Sequence, residues 1–367
     1  MSSIVLLGST GSIGVNTLRI AQKYNIAIEA LVAGDNIELL NQQIALHKPK
    51  FVAIRESAKT HLVNHPRVYS GNEGIETIIE QSCSDTVVNA LVGYAGMLPT
   101  IKAIKMNKKI ALANKESLVV AGEFIDTSRI TPIDSEHFGL WYLLNDKKTK
   151  QLIITASGGA FRDWSIEAMH KATFKEALNH PNWSMGSKIT IDSATMTNKL
   201  FELLEARWLF GTTQLDGVIE RRSIVHALVE FVDGSTTAHF AGVDMRLPIA
   251  YALLDSIEDE ILPSVDLLKM GAIGFEAISP EKYPIWQIKS DILTNPHLGV
   301  VINAANEEAI ELFKQGTCSF FGMSDRVLEC YQKFHNVKPT SIEDIIAIDR
   351  EVRRYSHKLV GLPSPNA

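Results

Sequence analysis

The sequence predicts an α/β protein whose N-terminal part is a doubly wound parallel sheet. Over roughly the first 130 residues, short apolar segments alternate with helical stretches, namely IVLLG, IEALVAG, FVAI, VVNALVG and KIALA. This alternation is typical of parallel strands joined by crossover helices. A central region follows that combines polar and histidine-containing motifs with β-rich runs, and the last region has apolar residues at helical spacing. We therefore expect a central α+β catalytic domain and a C-terminal helical bundle after the sheet.

The first predicted strand, residues 4–7, leads into the glycine-rich segment GSTGSIG at residues 8–14. Glycine permits a tight turn, and it lets the backbone N–H groups at the start of the next helix approach a pyrophosphate. The GxxGxxG spacing differs from the commoner GxGxxG, so a plain strand-to-helix turn is the alternative. A second predicted strand at residues 28–33 lies at the distance expected of a βαβ unit. This context favours a Rossmann-like, dinucleotide-binding domain.

Composition restricts the class of protein. The chain has 367 residues, 46% of them hydrophobic and 21% charged, which is typical of a globular protein with two or three domains. The net charge is −6 and no basic block occurs, which argues against nucleic acid or an anionic membrane as partner. The three cysteines are far apart, and the apolar N-terminal run is too short for a signal peptide or membrane span. We expect a cytoplasmic protein that binds small molecules.

The sequence also predicts the order of the remaining elements. The runs SIVHALVEFVDG and TTAHFAGVD alternate in polarity and are joined at Asp233-Gly234, which predicts a hairpin. Helices are expected at residues 300–315, 324–334 and 341–359, the last with a capping box that starts at Ser341. The predicted domains are 1–131 for the cofactor, 132–255 for catalysis and 282–367 for the helical domain, with a linker at 256–281.

Two polar motifs follow the predicted sheet. The segment ANKES, residues 113–117, comes after the strand KIALA, at the edge where open α/β sheets bind ligands, although an ordinary loop is the alternative. In PIDSEH, Asp134 and Glu136 are two positions apart and would point the same way on an extended segment. Carboxylates so placed suit Mg²⁺, and His137 is a candidate further ligand. The alternative is a solvated helix start in which His137 caps the helix or is satisfied internally.

A serine-glycine loop and a tryptophan-bearing loop lie in the central region. SGGAFR follows the strand LIIT and offers N–H and hydroxyl groups to an anion. It lacks the Walker lysine and the GxSxG pattern, which excludes ATP hydrolysis of that type and serine esterase chemistry. HPNWSMG places Trp183 among turn-forming residues, which predicts a lid that excludes water. The alternative is that Trp183 packs beneath its own loop.

The motif DSATMTNKLFE, residues 192–202, enters a predicted helix. Asn198, Glu202 and Glu205 would share one stripe of that helix. Ser193, Asn198 and Lys199 could bind a phosphate, and Glu202 could add a third carboxylate to a metal site. Read alone, such a stripe is also consistent with a solvated helix face.

Taken together, these motifs resemble the 1-deoxy-D-xylulose 5-phosphate reductoisomerase family. GSTGSIG, ALANKES, PIDSEH, SGGAFR, HPNWSMG and DSATMTNKLFE occur in the family's order over essentially the whole chain. The resemblance implies a cytoplasmic, homodimeric, NADP-dependent oxidoreductase with isomerase activity. It would catalyse the committed step of non-mevalonate isoprenoid precursor biosynthesis, the conversion of 1-deoxy-D-xylulose 5-phosphate to 2-C-methyl-D-erythritol 4-phosphate. The implied route is a retro-aldol/aldol rearrangement at C3–C4 followed by hydride transfer.

The resemblance also implies the site residues. The NADPH site would comprise Thr10, Gly11, Ser12, Ile13, Gly34, Asn36, Asn114, Glu116 and Gly186. Mg²⁺ or Mn²⁺, with Co²⁺ as a further candidate, would bind to Asp134, Glu136 and Glu202. The phosphosugar would contact Lys115, Ser135, Ser157, His180, Ser193, Asn198, Lys199 and Glu202, with Ser157, Ser193, Asn198 and Lys199 nearest its phosphate. The catalytic group would be Lys115, Glu116, Asp134, Glu136, His180 and Glu202, beneath a lid at residues 179–188 that carries Trp183 and Met185.

One position departs from the family pattern. Asp35 stands where many relatives have a basic residue, and a carboxylate there normally suits the 2′-hydroxyl of NADH rather than the 2′-phosphate of NADPH. Arg55, after the third predicted strand, is a candidate for compensation. Two other functions are compatible with a nucleotide-binding fold: a dehydrogenase without a metal, and a catalytically silent nucleotide sensor.

Overall fold

The computed structural model describes residues 2–359, and the strands of this range follow in chain order. They are β1 (Ser3–Leu7), β2 (Ala27–Ala33), β3 (Phe51–Ile54), β4 (Val68–Ser70), β5 (Thr86–Asn89), β6 (Lys109–Leu112), β7 (Ile130–Pro132), β8 (Thr149–Ala156), β9 (Leu215–Ile219), β10 (Val225–Phe231), β11 (Thr236–Phe240) and β12 (Glu276–Ala277).

The α-helices of the same range are α1 (Ser12–Lys23), α2 (Ile37–His47), α3 (Gly71–Gln81), α4 (Met97–Lys105), α5 (Glu116–Ala121), α6 (Ser135–Leu143), α7 (Ile166–Met169), α8 (Phe174–Ala177), α9 (Ser187–Thr195), α10 (Thr197–Phe210), α11 (Arg246–Leu253), α12 (Leu267–Met270), α13 (Lys289–Thr294), α14 (Gly299–Lys314), α15 (Phe320–Lys333) and α16 (Ile342–Lys358). Short 3₁₀ helices occur at Ser57–Leu62, Gly93–Gly96, Gly122–Phe124, Thr127–Arg129, Pro284–Ile288 and Pro296–Leu298.

The described chain divides into two compact units. The first comprises the chain up to Ser117 together with Ile125–Ser135 and Asp244–Pro263. The second comprises Leu118–Phe124, Glu136–Val243 and the described chain from Ser264 onward.

The first unit contains the predicted doubly wound sheet. Within residues 2–359 its strand order is β4-β3-β2-β1-β5-β6-β7, and every neighbouring pair is parallel. The strand order reverses between β1 and β5, which is the position where sheets of this kind bind ligands. The predicted strands IVLLG, IEALVAG, FVAI, VVNALVG and KIALA are confirmed. The edge strands β4 and β7 were not predicted, because three residues are too few to show a periodic pattern.

The glycine-rich loop connects β1 to α1 in a conformation that requires glycine. Gly8 has φ of +87°, and a Cβ added there would lie 2.3 Å from the carbonyl oxygen of Ala90. The loop therefore lies directly against the backbone that follows β5. The close approach explains why the chain turns at glycine here, whatever ligand the loop binds.

The chain returns to the first unit after leaving it. Residues 244–255, which the sequence prediction grouped with the catalytic domain, contain α11, and α11 packs against α1. Ile249 and Ala250 are fully buried in the same apolar core as Leu6 and Leu31 of the sheet. These apolar side chains complete the core of the first unit, which explains their position there. The predicted three-domain division otherwise stays a prediction.

The second unit is built on a mixed sheet and a group of helices. Its strand order within the described residues is β11-β10-β8-β9-β12. The predicted hairpin is confirmed, since β10 and β11 pair antiparallel around Asp233 and Gly234. The segment expected to be a linker contributes β12, which pairs antiparallel with β9, and also α12.

The expected C-terminal helices are present as α14, α15 and α16, and α14 contacts both of the others. Ser341 caps α16, because its side chain accepts a hydrogen bond from the amide of Asp344. The reciprocal half of the predicted capping box is shifted by one residue, since the Asp344 carboxylate accepts from Thr340 instead. Of the helices in residues 2–359, none combines the length and the apolar character needed to span a bilayer.

We expect Gly8→Ala to destabilise the protein by about 2–5 kcal/mol, since it adds left-handed backbone strain to a steric overlap with Ala90. Gly71→Ala is the matched control, because Gly71 also has positive φ, at +65°, but has no atom within 4 Å of the added Cβ. Its expected cost is about 1–2 kcal/mol from strain alone. Denaturant unfolding of both variants measures the difference, and equal losses would contradict the close approach at Gly8.

Candidate active site

The helix α1 begins at the glycine-rich loop, and among the described residues no side chain occupies the N–H groups at its N-terminus as a cap. Its N-cap is Gly11, no side chain of the described residues caps it, and no acidic residue occupies its first turn. Thr10, Ser12 and Ile13 lie at this N-terminus, where backbone N–H groups and the helix dipole favour an anion. The arrangement fits the pyrophosphate of a dinucleotide.

Other predicted cofactor residues are placed at the same edge of the first sheet. Gly34 directly follows β2, and Asn36 caps α2 by accepting a hydrogen bond from the amide of Leu39 at 3.1 Å. Asn114 follows β6 and is fully buried. Its amide nitrogen donates to the carbonyl oxygens of Leu91 and Gly93, both at 2.9 Å. Asn114 therefore connects the ends of two neighbouring strands, which is a structural role that the sequence motif did not reveal.

Lys115 and Asp134 form a nearly buried ion pair in the first unit. The Lys115 ammonium donates to the Asp134 carboxylate at 2.9 Å, with 6% and 12% of the two side chains exposed. Asp134 precedes α6, and Ser135 and Glu136 are the first residues of that helix. The expected extended arrangement of Asp134 and Glu136 is therefore wrong, because the chain enters a helix between them. Glu136 instead lies in the first helical turn, where the dipole stabilises a carboxylate.

In the second unit, Glu136 and Glu202 lie on either side of Lys199. The Lys199 ammonium donates to Glu136 at 2.7 Å and to Glu202 at 2.5 Å. Asn198 donates its side-chain amide to the other oxygen of Glu202 at 2.5 Å. Glu202 and Glu205 are each 1% exposed, so the stripe on α10 is not a solvated face.

His137 is a buried histidine that supports this cluster. It is fully buried, and its Nε2 lies 2.8 Å from the backbone carbonyl oxygen of Glu202. Because a carbonyl oxygen only accepts, Nε2 carries a proton. The other ring nitrogen lies 3.4 Å from the Glu205 carboxylate. His137 thus contacts the helix that carries Glu202.

The carboxylate cluster fits a hard divalent cation. A carboxylate oxygen of Glu136 and one of Glu202 lie within 4.8 Å of each other. Asp134 precedes Glu136 by two residues. An all-carboxylate donor set suits Mg²⁺ and Mn²⁺ rather than a soft metal. The Lys199 ammonium between two carboxylates marks the place where positive charge is required.

The serine-glycine loop and the tryptophan-bearing loop meet at Ser157 and His180. The backbone N–H groups of Asn182 and Trp183 donate to Nδ1 of His180, at 3.2 and 2.9 Å. Nδ1 must then be unprotonated, so the neutral ring carries its proton on Nε2 and donates to Ser157 Oγ at 2.9 Å. Ser157 Oγ also accepts from the amide of Gly159, so its own hydrogen is directed toward a further acceptor.

His180 is held in the neutral form. Burial, together with the positive charges of Arg162 and Lys199, lowers the pKa of His180 to about 4. The two amide donors at Nδ1 also lower the pKa of His180, since protonation at Nδ1 would break both hydrogen bonds. Ser157 is therefore a neutral hydrogen-bond donor for an anion, rather than a nucleophile activated by a base.

Ser193 lies beside the same loop. A Cβ added at Gly159, whose φ is +70°, would lie 2.5 Å from the carbonyl oxygen of Ser193 on α9. The two motifs are therefore packed backbone to backbone, and only glycine permits this approach. Gly186 caps the N-terminus of the same helix, and the space around it is open.

Trp183 is half-buried, and its ring meets the edge of His226 on β10, with centroids 6.2 Å apart. Asn182 ties the same loop to the carbonyl oxygen of Arg221 and the hydroxyl of Ser223, both at 2.8 Å. The contact with β10 shows that the indole reaches beyond its own loop. Met185, the other predicted lid residue, is also half-buried.

Sequence reasoning missed two residues of this neighbourhood. Arg162 donates to the carbonyl oxygen of Ser157 at 3.2 Å and contributes to the low pKa of His180. The signal was present, since Arg162 ends the motif SGGAFR. His226 sits in a strand whose alternating pattern indicated only the sheet, so the sequence offered no signal for its contact with Trp183.

The parallel sheet with an anion-binding first turn, and the second unit with its carboxylate cluster, define a dinucleotide-dependent oxidoreductase that uses a divalent cation. Family models described as 1-deoxy-D-xylulose 5-phosphate reductoisomerase, its C-terminal domain, and the DXP reductoisomerase C-terminal domain match residues 4–122, 130–210 and 240–355. The chain belongs to the 1-deoxy-D-xylulose 5-phosphate reductoisomerase family.

Curated relatives of the chain belong to the same family. The chain is similar to the 1-deoxy-D-xylulose 5-phosphate reductoisomerase of Nautilia profundicola, with 58% identity over 96% of this chain and 98% of the relative. It is 49% identical to that of Wolinella succinogenes, over 97% of this chain and all of the relative.

Solved structures agree as well. A DOX-P reductoisomerase in complex with NADPH, fosmidomycin and magnesium superimposes with a TM-score of 0.91 at 34% identity, covering 97% of each chain. The Zymomonas mobilis enzyme in complex with NADPH gives a TM-score of 0.86 at 30% identity, covering 97% of this chain and 98% of that one. The predicted fold class is confirmed.

The low pKa of His180 predicts a pH-dependent loss of stability. Between the ordinary histidine value of 6.5 and about 4, the unfolded chain binds a proton at this histidine while the folded chain does not. The contribution of His180 to the free energy of unfolding is therefore fully present above that pH interval, and it is lost as the pH decreases through the interval. We expect His180→Gln to reduce the drop in the thermal unfolding midpoint across the interval. Equal drops in both proteins would contradict the neutral His180.

Proposed function

We propose that this chain converts 1-deoxy-D-xylulose 5-phosphate to 2-C-methyl-D-erythritol 4-phosphate, using NADPH and a divalent cation. Family membership supports the reaction, and the observation that carries it to this chain is the cluster in which Glu136 and Glu202 converge on one cation, Lys199. A dehydrogenase without a metal has no use for such a buried carboxylate cluster. The product serves isoprenoid precursor biosynthesis.

The glycine-rich loop and the α1 N-terminus are proposed to bind the NADPH pyrophosphate. Gly11, Ser12 and Ile13 supply the N–H groups, and Thr10 and Ser12 add hydroxyl donors. The further NADPH residues are proposed to be Gly34, Asn36, Asn114, Glu116 and Gly186. When bound, NADPH supplies the hydride for the reduction.

Asp134, Glu136 and Glu202 are proposed to hold Mg²⁺ or Mn²⁺. When bound, the cation supplies Lewis-acid polarisation of the substrate carbonyl and stabilises developing negative charge. Asn198 orients Glu202 through its hydrogen bond, while Lys115 is paired with Asp134.

The substrate phosphate is proposed to bind Ser157, Ser193, Asn198 and Lys199. Ser157 supports this role because its oxygen already accepts two hydrogen bonds, leaving the hydroxyl hydrogen for a phosphate oxygen. Lys199 adds the positive charge. Ser135 and Lys115 are proposed to contact the sugar oxygens. A fixed phosphate would keep the two fragments of the rearrangement in place until they recombine.

Residues 179–188 are proposed to close over the bound substrate. Trp183 and Met185 would exclude water from the reacting carbon atoms, and the open space around Gly186 supports a hinge there. His180 connects the two loops, because it belongs to residues 179–188 and donates a hydrogen bond to the Ser157 hydroxyl. Closure would therefore be linked to phosphate binding.

A homodimer in the cytoplasm is also proposed. Trp141, Tyr142 and Phe240 are 47%, 53% and 39% exposed. Tyr142 packs on His239, the residue before Phe240, which brings α6 and β11 together at one surface. Because β11 is the last strand at its end of the described sheet, its outer edge is open to a second copy.

The reaction is tested by the loss of NADPH absorbance with 1-deoxy-D-xylulose 5-phosphate, in the presence of Mg²⁺ and after chelation. We expect metal-dependent turnover. Glu202→Gln should reduce kcat by more than about 100-fold, since losing only a residue behind a metal ligand costs roughly 10- to 100-fold. Glu311→Gln, on the exposed face of α14, is the matched control and should retain activity. Turnover that survives chelation, or no turnover with either Mg²⁺ or Mn²⁺, would contradict the proposal.

The dimer is tested by sedimentation of Phe240→Glu. The new charge on the open edge strand should shift the protein toward monomer, because an unpaired carboxylate would be buried at the interface. Leu268→Glu is the control, since Leu268 is 95% exposed and lies outside this surface. A wild-type protein that sediments as a monomer would rule out the dimer.

A further inference from the structure

Asp35 and Arg55 follow neighbouring strands at matching positions. Ala33 at the end of β2 and Ile54 at the end of β3 are register partners in the parallel sheet. Gly34 and Asp35 come directly after the first, and Arg55 comes directly after the second. Both charged side chains therefore begin at the carboxyl edge of the sheet that also carries the glycine-rich loop.

The structure brings two cations to Asp35. Arg55 lies 3.5 Å from one carboxylate oxygen and Lys59 lies 3.6 Å from the other. Lys59 also contacts Glu56 at 3.1 Å. Asp35 therefore has two positive charges beside it, and one of them belongs to Arg55, twenty positions further along the chain.

The end of β2 is where this fold distinguishes the two nicotinamide cofactors. An acidic residue there hydrogen-bonds the 2′-hydroxyl of NAD, whereas a nearby arginine accommodates the 2′-phosphate of NADP. This chain has both groups. We propose that Arg55, paired with Asp35, is the group that binds the 2′-phosphate of NADPH.

The geometry leaves Arg55 able to bind a phosphate. Its separation from Asp35 exceeds the roughly 2.7–2.9 Å of a charge-assisted hydrogen bond, so its donors are not consumed by that contact. The Arg55 side chain is 72% exposed. A guanidinium has five N–H donors in a fork that matches two phosphate oxygens. Asp35 orients the arginine, and Arg55 screens the carboxylate that would otherwise repel the phosphate.

This inference rests on the proposed function, and it is tested by equilibrium binding of NADPH and NADH without turnover. Dissociation constants from fluorescence titration should show the wild type preferring NADPH. Arg55→Ala should reduce the ratio of NADPH to NADH affinity by about 10-fold or more, as expected for loss of charged hydrogen bonds. Arg67→Ala is the matched control, because Arg67 is also exposed but precedes β4, at the opposite end of a strand. It should leave the ratio unchanged.

A second variant tests the role of Asp35. In Arg55→Ala the Asp35 carboxylate is no longer screened by the arginine, so it repels the 2′-phosphate. Adding Asp35→Asn to this variant should therefore raise its NADPH affinity several-fold. Adenosine 2′,5′-bisphosphate and adenosine 5′-phosphate serve as simpler probes, and only the first should respond to Arg55→Ala. Unfolding midpoints of the variants should match the wild type, since both side chains are largely exposed.

The outcomes separate the two proposals. An unchanged NADPH to NADH ratio in Arg55→Ala, or equal weakening of both cofactors, would overturn the assignment of Arg55 while the reductoisomerase function stands. No recovery in the double variant would overturn the screening of Asp35. Failure of the wild type to bind either dinucleotide would instead overturn the proposed function, and the Arg55 assignment with it.

Discussion

The cluster of Glu136, Lys199 and Glu202 is the interaction on which the arrangement of the second unit depends. Placing two carboxylates side by side away from water is costly unless a positive charge lies between them. Lys199 supplies that charge, with 6% of its side chain exposed. Asn198 donates a hydrogen bond to one carboxylate oxygen of Glu202, and His137 donates one to the backbone carbonyl oxygen of the same residue. A divalent cation would meet the same electrostatic requirement, which explains why a buried cluster of like charges persists in the fold.

The positive charge of Lys199 also acts on the neighbouring anion loop. Burial is the main reason that His180 has a low pKa, and the charges of Arg162 and Lys199 reinforce it. A neutral His180 then holds the hydroxyl of Ser157 in a donating orientation. The carboxylate cluster and the anion loop have opposite requirements, one for a cation and the other for an anion. A substrate that carries both polar oxygens and a phosphate satisfies both.

Much of the fold could be predicted from the sequence because its signals are local. Apolar runs of four to seven residues identified β1, β2, β3, β5 and β6, and the Asp233-Gly234 turn identified the hairpin. Several strands were not predicted, including the three-residue edge strands, β9 and the two-residue β12. The position of α11 could not be predicted either, since its apolar residues fit any core. Only packing against α1 assigns it to the first unit.

The amino-acid sequence was enough to predict the class of sheet, the glycine turn at Gly8, the motifs that carry polar side chains and the family that they resemble. Each of these is a property of neighbouring residues, so spacing and residue type suffice. The tertiary structure decided which charges meet. Lys199 contacts Glu136 across 63 positions, and His180 contacts Ser157 across 23. Whether Arg55 reaches Asp35 was likewise open until the register of β2 and β3 placed both at one edge. Electrostatic partners depend on distance in space, and a linear pattern does not contain that distance.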